Sequence, residues 1–264
     1  MPQMPLELPP APRALGAERR AEILAALRAH GKVRAADLAA SLGVSIDTVR
    51  RDLDELARAG ALRRVHGGAL PPGPESGAYS ARRGRDAPQK AAIARAAAAL
   101  VRDGDLILLD GGTTTLQVAR HLDPELRATA VTNSPPIAVA LAEHPRLRVC
   151  VVGGELDRDM LVTVGASAVA AIRELRADIC FLGVCALHPE LGVTTNDLEE
   201  RHVKRAMMDA SAQVVALAGP GKLGSAAPFV VGSLDDLTHL VADGSAPPDV
   251  LAAARERGVE VVPA

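Results

Sequence analysis

GVSIDTVRRDLDEL, residues 43–56, decides how the first quarter of the chain is read. Val49, Leu53 and Leu56 recur at i, i+4 and i+7, so one face of a helix is apolar and the adjacent Arg50 and Arg51 point away from it. Ser45 stands at the N-cap, and Gly43 closes the segment before it. That segment, RAADLAASL, places Leu38 and Leu42 inward, and residues 17–31 show Ile23, Leu24 and Leu27 at helical spacing up to Gly31. Past Gly60, ALRRVHGGAL alternates like a short strand pair around a glycine turn. Three short helices and a hairpin, with the third helix basic at its start, describe a winged helix-turn-helix.

Such a helix presents its first turns to base edges in the major groove, while its N-terminal amides favour phosphate. Ser45, Ile46, Asp47, Thr48, Arg50 and Arg51 occupy those turns, and Arg63, Arg64 and His66 lie on the wing. Arginine suits either bidentate contact to guanine or contact to phosphate. A plainer reading of the arginines is local: Asp47 stands at i, i+3 from Arg50 and i, i+4 from Arg51, and exposed helix pairs of this kind contribute ~0.3–0.5 kcal/mol. Charge distribution favours DNA. Residues 17–70 carry ten lysines and arginines against seven acids, a net +3, which leaves −5 on the rest of a chain whose total is −2.

At 264 residues the chain is long enough for two domains. Tyr79, Phe181 and Phe229 are its only aromatics, so the core must be aliphatic and no stacking platform for single-stranded nucleic acid exists. The proline-rich start, 1–16, reads as a flexible tail, and PPGPESG, 71–77, as a linker. The domains expected are therefore 17–70 and 78–264. Cys150, Cys180 and Cys185 lie in apolar runs without CxxC or histidine spacing, so they read as small core residues in a reducing cytoplasm, with no metal. No apolar run of membrane-spanning length and no signal-peptide pattern is present, so the expectation is a cytoplasmic protein without membrane contact.

Beyond the linker, strand-length apolar runs alternate with helical patterns. The strands fall near 106–110, 129–133, 147–152, 179–184, 214–218, 239–243 and 259–262. Their apolar character is continuous rather than alternating, which predicts a mostly parallel, Rossmann-like α/β sheet covered on both faces. LLDGGTTT, 108–115, carries the chemistry: a strand ends in Asp110, Gly111 and Gly112 turn the chain, and Thr113, Thr114 and Thr115 open a helix. Glycines admit an anion to the backbone, and helix N-terminal amides and hydroxyls donate to it, so phosphate is the natural guest. Thr132, Asn133 and Ser134 end the next strand in the same way and are expected beside it, although capping alone also explains them.

Residues 19–69 resemble the DNA-binding domain of the DeoR family of bacterial transcriptional regulators. The resemblance rests on L-A-x-x-L-x-V-S-x-x-T-V-R-R-D-L-x-x-L followed by G-x-L-x-R-x-H-G-G-A. The second half is similar to the family's sensor domain through Arg82, Lys90, D-x-G-T-T-T at 110–115, TNS at 132–134, Gly153-Gly154, Gly165 and D-x-x-F-x-G at 178–183. Gly192-x-Thr194, Glu200, Val203-Lys204-Arg205 and Lys222 continue it. The resemblance implies a fold similar to ribose-5-phosphate isomerase and CoA transferases, and a phosphorylated-sugar effector held by residues 110–115, 132–134, Lys204 and Lys222. It also implies double-stranded operator DNA as partner, a homodimer or homotetramer, repression as the commoner output, and no cofactor. One departure stands out: where the family reads L-A-D-S-S-K-x-G, this chain has LAGPGKLG, 217–224, with Gly219 in place of the acid and Gly221 in place of a serine.

Two rivals remain. GPGKLG fits a dinucleotide fingerprint with Asp243 about 20 residues on, but SAAPFVVGSLDD offers no helix to follow it. An isomerase-like activity would draw on Asp197, Glu199, Glu200, Lys204 and Lys222 as acid–base groups. A tethered DNA-binding unit makes binding, not turnover, the expected output, so the reading is a repressor and not an enzyme.

Overall fold

The computed structural model describes residues 16–73, 77–219 and 221–264. Most of the expected tail, residues 74–76 of the expected linker, and Pro220 lie outside the described residues. The chain divides into two compact units after Pro72.

In the first unit, α1 (Gly16–His30), β1 (Val33–Arg34), α2 (Ala35–Leu42) and α3 (Ile46–Arg58) precede a hairpin of β2 (Arg63–Val65) and β3 (Gly68–Leu70). Gly16, expected in the tail, is the first residue of α1. The strands form one antiparallel sheet in the order β1-β3-β2, so β1 ties the wing back to the helices. Ile23, Leu27, Leu38, Val49, Leu53 and Leu56 form the core with Leu62 and Ala69. Full burial of one such side chain contributes roughly 1.5–3 kcal/mol. The turn between α2 and α3 is made by Gly43, in the left-handed region at φ 62°, and by Ser45, whose Oγ accepts from the Thr48 amide at 3.2 Å. Asp52 on α3 is buried and is gripped by Arg19 through Nε at 2.5 Å and Nη2 at 3.0 Å, which fixes α1 across α3.

The second unit opens with α4 (Tyr79–Arg83) and α5 (Ala87–Ala98). It continues through β4 (Leu106–Leu109), α6 (Thr113–His121), β5 (Thr129–Thr132), α7 (Pro135–Ala142) and β6 (Arg148–Val151). A small hairpin of β7 (Glu155–Asp157) and β8 (Val162–Val164) leads to α8 (Ala166–Arg173) and β9 (Ala177–Gly183). Then come β10 (Ala186–His188), β11 (Gly192–Thr195), α9 (Leu198–Asp209), β12 (Ser211–Ala218) and β13 (Phe229–Gly232). The chain closes with β14 (His239–Ala242), α10 (Pro248–Glu256) and β15 (Glu260–Pro263).

Seven strands form the main sheet in the order β15-β14-β12-β9-β4-β5-β6, and every pairing in it is parallel. The chain starts at β4, runs outward through β5 and β6, then returns to the other side of β4 and runs outward again. This is a Rossmann-like order, and the reversal lies between β4 and β9.

Alternate strand residues feed opposite faces. Ile107, Leu109, Phe181, Val215 and Leu217 pack with Ile93, Leu116, Ile137 and Leu141 of α5, α6 and α7. Leu108, Val131 and Cys180 pack with Ile172, Val203 and Met207 of α8 and α9. Burial on both sides is why these strands read as continuous apolar runs. The sequence reading did not include α4, α10 or the β7–β8 hairpin. It also missed a second small sheet, β10-β11-β13, whose strands are too short or too mixed to stand out. That sheet settles the dinucleotide rival: Gly221 and Gly224 lie in a turn that leads to β13, not to a helix.

Candidate functional site

The first unit offers an exposed basic edge. Ile46, Asp47, Arg50 and Arg51 at the start of α3 are exposed, as are Arg63 and His66 on the wing. Ile46, Arg50, Arg64, Val65 and His66 line a concavity of about 350 Å³ together with Ala35, Ala36 and Gly67. The arginines are not equivalent. Arg50 Nη1 meets Asp47 Oδ1 at 3.1 Å, so the local pair foreseen from spacing forms for Arg50 and is exposed at both ends. Arg64 is a strut: Nε donates to Asp54 Oδ1 and Nη1 to the Gly68 carbonyl, both at 2.8 Å, which ties the wing to α3. Ser45 and Thr48 spend their hydroxyls on the cap, 2.9 Å apart.

In the second unit the reversal point of the sheet places the ends of β4 and β9 side by side, where open α/β sheets bind ligands. A cavity of about 510 Å³ opens there. Its floor is Gly111, Gly112 and the first turn of α6, Thr113–Thr115, with Gly183 and Val184 beyond β9. Arg82, Lys204 and Lys222 supply cations, and Asp157, Asp159, Asp197 and Glu200 supply carboxylates. Two close approaches explain glycines here. A Cβ on Gly111 would meet Val162 Cγ1 at 2.0 Å, and one on Gly183 would meet the Gly111 carbonyl at 2.5 Å.

Asp110 is buried and does not face the ligand space directly; it holds the site together. Lys204 Nζ bonds to Asp110 Oδ2, to the Gly183 carbonyl at 2.7 Å and to Glu200 Oε1 at 3.2 Å. The Gly183 amide donates to the same Asp110 oxygen at 2.9 Å. Glu200 also accepts from the Thr195 hydroxyl. Burial alone would lower the Lys204 pKa, but Asp110 and Glu200 outweigh it and hold the ammonium protonated. Burial pushes the Asp110 carboxyl up against the pull of Lys204. Glu200 is pushed up by burial and more than compensated by Lys204 and Thr195, so it stays a carboxylate.

Lys222 is different. Burial, with Arg82 and Lys204 nearby, lowers its pKa to about 8. It lines both the main cavity and a small recess shared with Arg82, Arg85, Lys90, Thr113, Thr114 and Gly219. Asp86 lines that recess too, so the α6 start has four cations and one carboxylate on the recess side and faces mixed charge in the main cavity. Thr114 Oγ1 and Thr115 Oγ1 are buried and have no hydrogen-bond partner among the described residues, a cost of roughly 1–3 kcal/mol each unless a ligand supplies one. Thr113 is buried in the same turn.

Thr132, Asn133 and Ser134 sit elsewhere. All three are buried and none lines the cavity. Thr132 Oγ1 donates to the Leu109 carbonyl at 2.7 Å, Asn133 Nδ2 to the Thr163 carbonyl at 3.0 Å, and Ser134 Oγ to the Leu161 carbonyl at 3.1 Å. Thr132 ties β5 to β4, while Asn133 and Ser134 anchor the β7–β8 hairpin, which brings Asp157, Asp159 and Met160 to the cavity wall. Sequence reasoning missed those three residues, and also Cys185 and Asn196. Only Arg82 and Gly183 had a signal, as isolated matches to the family pattern.

Residues 19–72 match the model of the DeoR-like helix-turn-helix domain, and residues 85–244 match that of the DeoR C terminal sensor domain. The chain belongs to the DeoR family. It is 34% identical to the HTH-type transcriptional regulator GlpR of Haloferax volcanii over 94% of this chain and 98% of that one. It is 33% identical to the HTH-type transcriptional repressor GlcR of Bacillus subtilis, covering 86% and 88% respectively. Among solved structures, ribose 5-phosphate isomerase A of Methanocaldococcus jannaschii matches with a TM-score of 0.38 at 18% identity, covering 51% of this chain and 53% of that one. The DeoR family is one of DNA-binding transcriptional regulators. No helix among the described residues of this DeoR-family chain is long and apolar enough to cross a membrane.

Proposed function

We propose that this chain is a transcriptional repressor that binds operator DNA through α3 and the wing and is controlled by a phosphorylated sugar in the β4–β9 cavity. The observation that carries the effector reading is the α6 start: Thr114 and Thr115, whose buried hydroxyls have no partner among the described residues, line a cavity that also holds Lys222 and Arg82. First-turn amides, two hydroxyls and two cations suit a phosphate. Carboxylates at Asp157, Asp159 and Asp197 in the same cavity suit sugar hydroxyls. A cavity near 510 Å³ is in the range of small-ligand sites. A homodimer or homotetramer would place two α3 helices on adjacent half-sites.

Catalysis is the weaker reading. Of the five acid–base candidates of an isomerase, Lys204 is committed to Asp110 and Glu200, and Glu200 to Lys204 and Thr195. The test is a thermal-shift panel in which each sugar phosphate is compared with its unphosphorylated parent. A ligand at ~100 times its dissociation constant adds about 2.7 kcal/mol of native stability. A shift with the phosphorylated member alone supports the reading; equal shifts with the parent sugar refute the anion cradle, and steady turnover of the sugar phosphate revives the enzyme.

A further inference from the structure

We infer that Arg82 is a positioning residue that passes the state of the cavity to the linker leading to the DNA-binding unit. The inference rests on reading the cavity as an anion site. Gly73 and Gly77, both within the stretch 71–77 read as the linker, line the cavity. Directly after them, α4 is docked on the β7–β8 turn: the Tyr79 amide donates to the Asp159 carbonyl at 2.7 Å. Arg82 then reaches three ways from one guanidinium. Its Nε donates to the Gly77 carbonyl at 3.0 Å, its Nη2 donates to Met160 Sδ at 3.1 Å, and it lines the recess that contains Thr113, Thr114 and Lys222.

The backbone of this segment is clamped from behind. Lys90 Nζ donates to the carbonyls of Arg82 at 2.8 Å and Arg85 at 2.5 Å, and Lys90 is buried. The side chain of Arg82 is held more lightly, by one neutral carbonyl and one thioether sulfur, a weak acceptor. A phosphate is a stronger acceptor than either, because both partners are charged. A two-pronged grip on a phosphate uses two neighbouring nitrogens of the guanidinium. Nε spends its single N–H on Gly77, whereas Nη1 and the second N–H of Nη2 remain to meet an anion, so the guanidinium must turn toward the α6 start while it is still tethered at Gly77 and Met160. Phosphate at the α6 start therefore competes with Gly77 and Met160 for Arg82, and the end of the linker loses a tether whenever the guanidinium swings to the anion.

The test uses the full chain, with Arg82→Lys and Arg82→Gln variants and an operator fragment selected by the wild-type chain from random-sequence DNA. Without ligand, both variants are expected to speed amide exchange at residues 77–83 at least tenfold and to change operator affinity at least fivefold. If exchange and affinity stay within twofold of wild type, the inference is overturned whatever binds in the cavity. The second arm adds inorganic phosphate. Wild type should slow exchange at 111–116 and also change at 77–83. Arg82→Lys keeps the charge but not the fork, so it should bind phosphate more weakly, and with phosphate at saturation its operator affinity should no longer respond. Protection at 111–116 without any change at 77–83 in wild type overturns the coupling. No protection at 111–116 overturns the anion reading and leaves the first arm to decide the role of Arg82.

Discussion

Replacing Lys204 with methionine removes the one cation that holds Asp110, Glu200 and Gly183 together. Asp110 and Lys204 are 1% and 2% exposed, so neither group can turn to water when its partner goes. After the substitution Asp110 keeps the Gly183 amide and loses its ammonium, and the Gly183 carbonyl loses a donor. Breaking a buried pair from one side costs roughly 3–5 kcal/mol. For a unit of ~190 residues, each kcal/mol moves the midpoint by about 2–4 °C, so Tm should fall by roughly 6–20 °C. Tyr79 provides the assay: it is the only tyrosine, there is no tryptophan, and it is buried in the second unit, so its fluorescence reports that unit alone.

The deficit should depend on pH with a definite sign. Burial already raises the Asp110 pKa, and without Lys204 it rises further. An acid whose folded pKa lies above its unfolded value binds more protons when folded, so Lys204→Met loses stability as pH rises from ~4 toward the raised folded pKa. The double variant Asp110→Asn with Lys204→Met removes both charges and should recover more than half of the loss. A loss below about 1 kcal/mol, or a double variant no better than the single one, would refute the assignment of this pair as the keystone of the site.

Lys222, with a pKa of about 8, is charged below that pH at a cost to the fold, so stability should rise as pH climbs from about 8 toward the ordinary lysine value. Anion affinity should run the other way, falling by up to tenfold per pH unit above 8; titration calorimetry across pH 7–9.5 checks this, and Lys222→Met should flatten the curve. Gly219 has open space where a side chain would stand and lines the recess with Lys222, so Gly219→Asp should raise the Lys222 pKa and weaken phosphate binding in the same calorimeter. Gly183→Ala drives a methyl into the Gly111 carbonyl and should abolish ligand-induced thermal shifts while operator binding by the first unit persists. Arg51→Ala, on an exposed side chain, should lower the log–log salt slope of operator binding by about one with no change in Tm, measured by fluorescence anisotropy.

Both the winged helix and the parallel sheet were written in local periodicity. Val49, Leu53 and Leu56 announce α3 within eight residues, and continuous runs such as LILLD announce strands buried on both faces. The GGTTT turn was equally local. The rest of the cavity was not, because its groups meet only through the strand order. Asp110 and Lys204 are 94 positions apart, and nothing local to either pairs them. Arg64 was expected on DNA because wing arginines are basic and exposed by pattern; the Asp54 carboxylate that captures it lies across the unit, on α3. Thr132, Asn133 and Ser134 share the strand-end chemistry of residues 110–115, but Thr132 turns to β4 and the β7–β8 hairpin, unseen in the sequence, takes donors from Asn133 and Ser134.

The strand order also sets a timetable for synthesis. The first unit is complete at Pro72, whereas the cavity needs Asp110 from the first strand of the main sheet, Lys204 from α9 and Lys222 from beyond the fifth. Some 150 residues separate the two events, roughly 8–30 s at ordinary rates of translation. During that interval each nascent chain carries the whole helix-turn-helix unit and only part of the cavity.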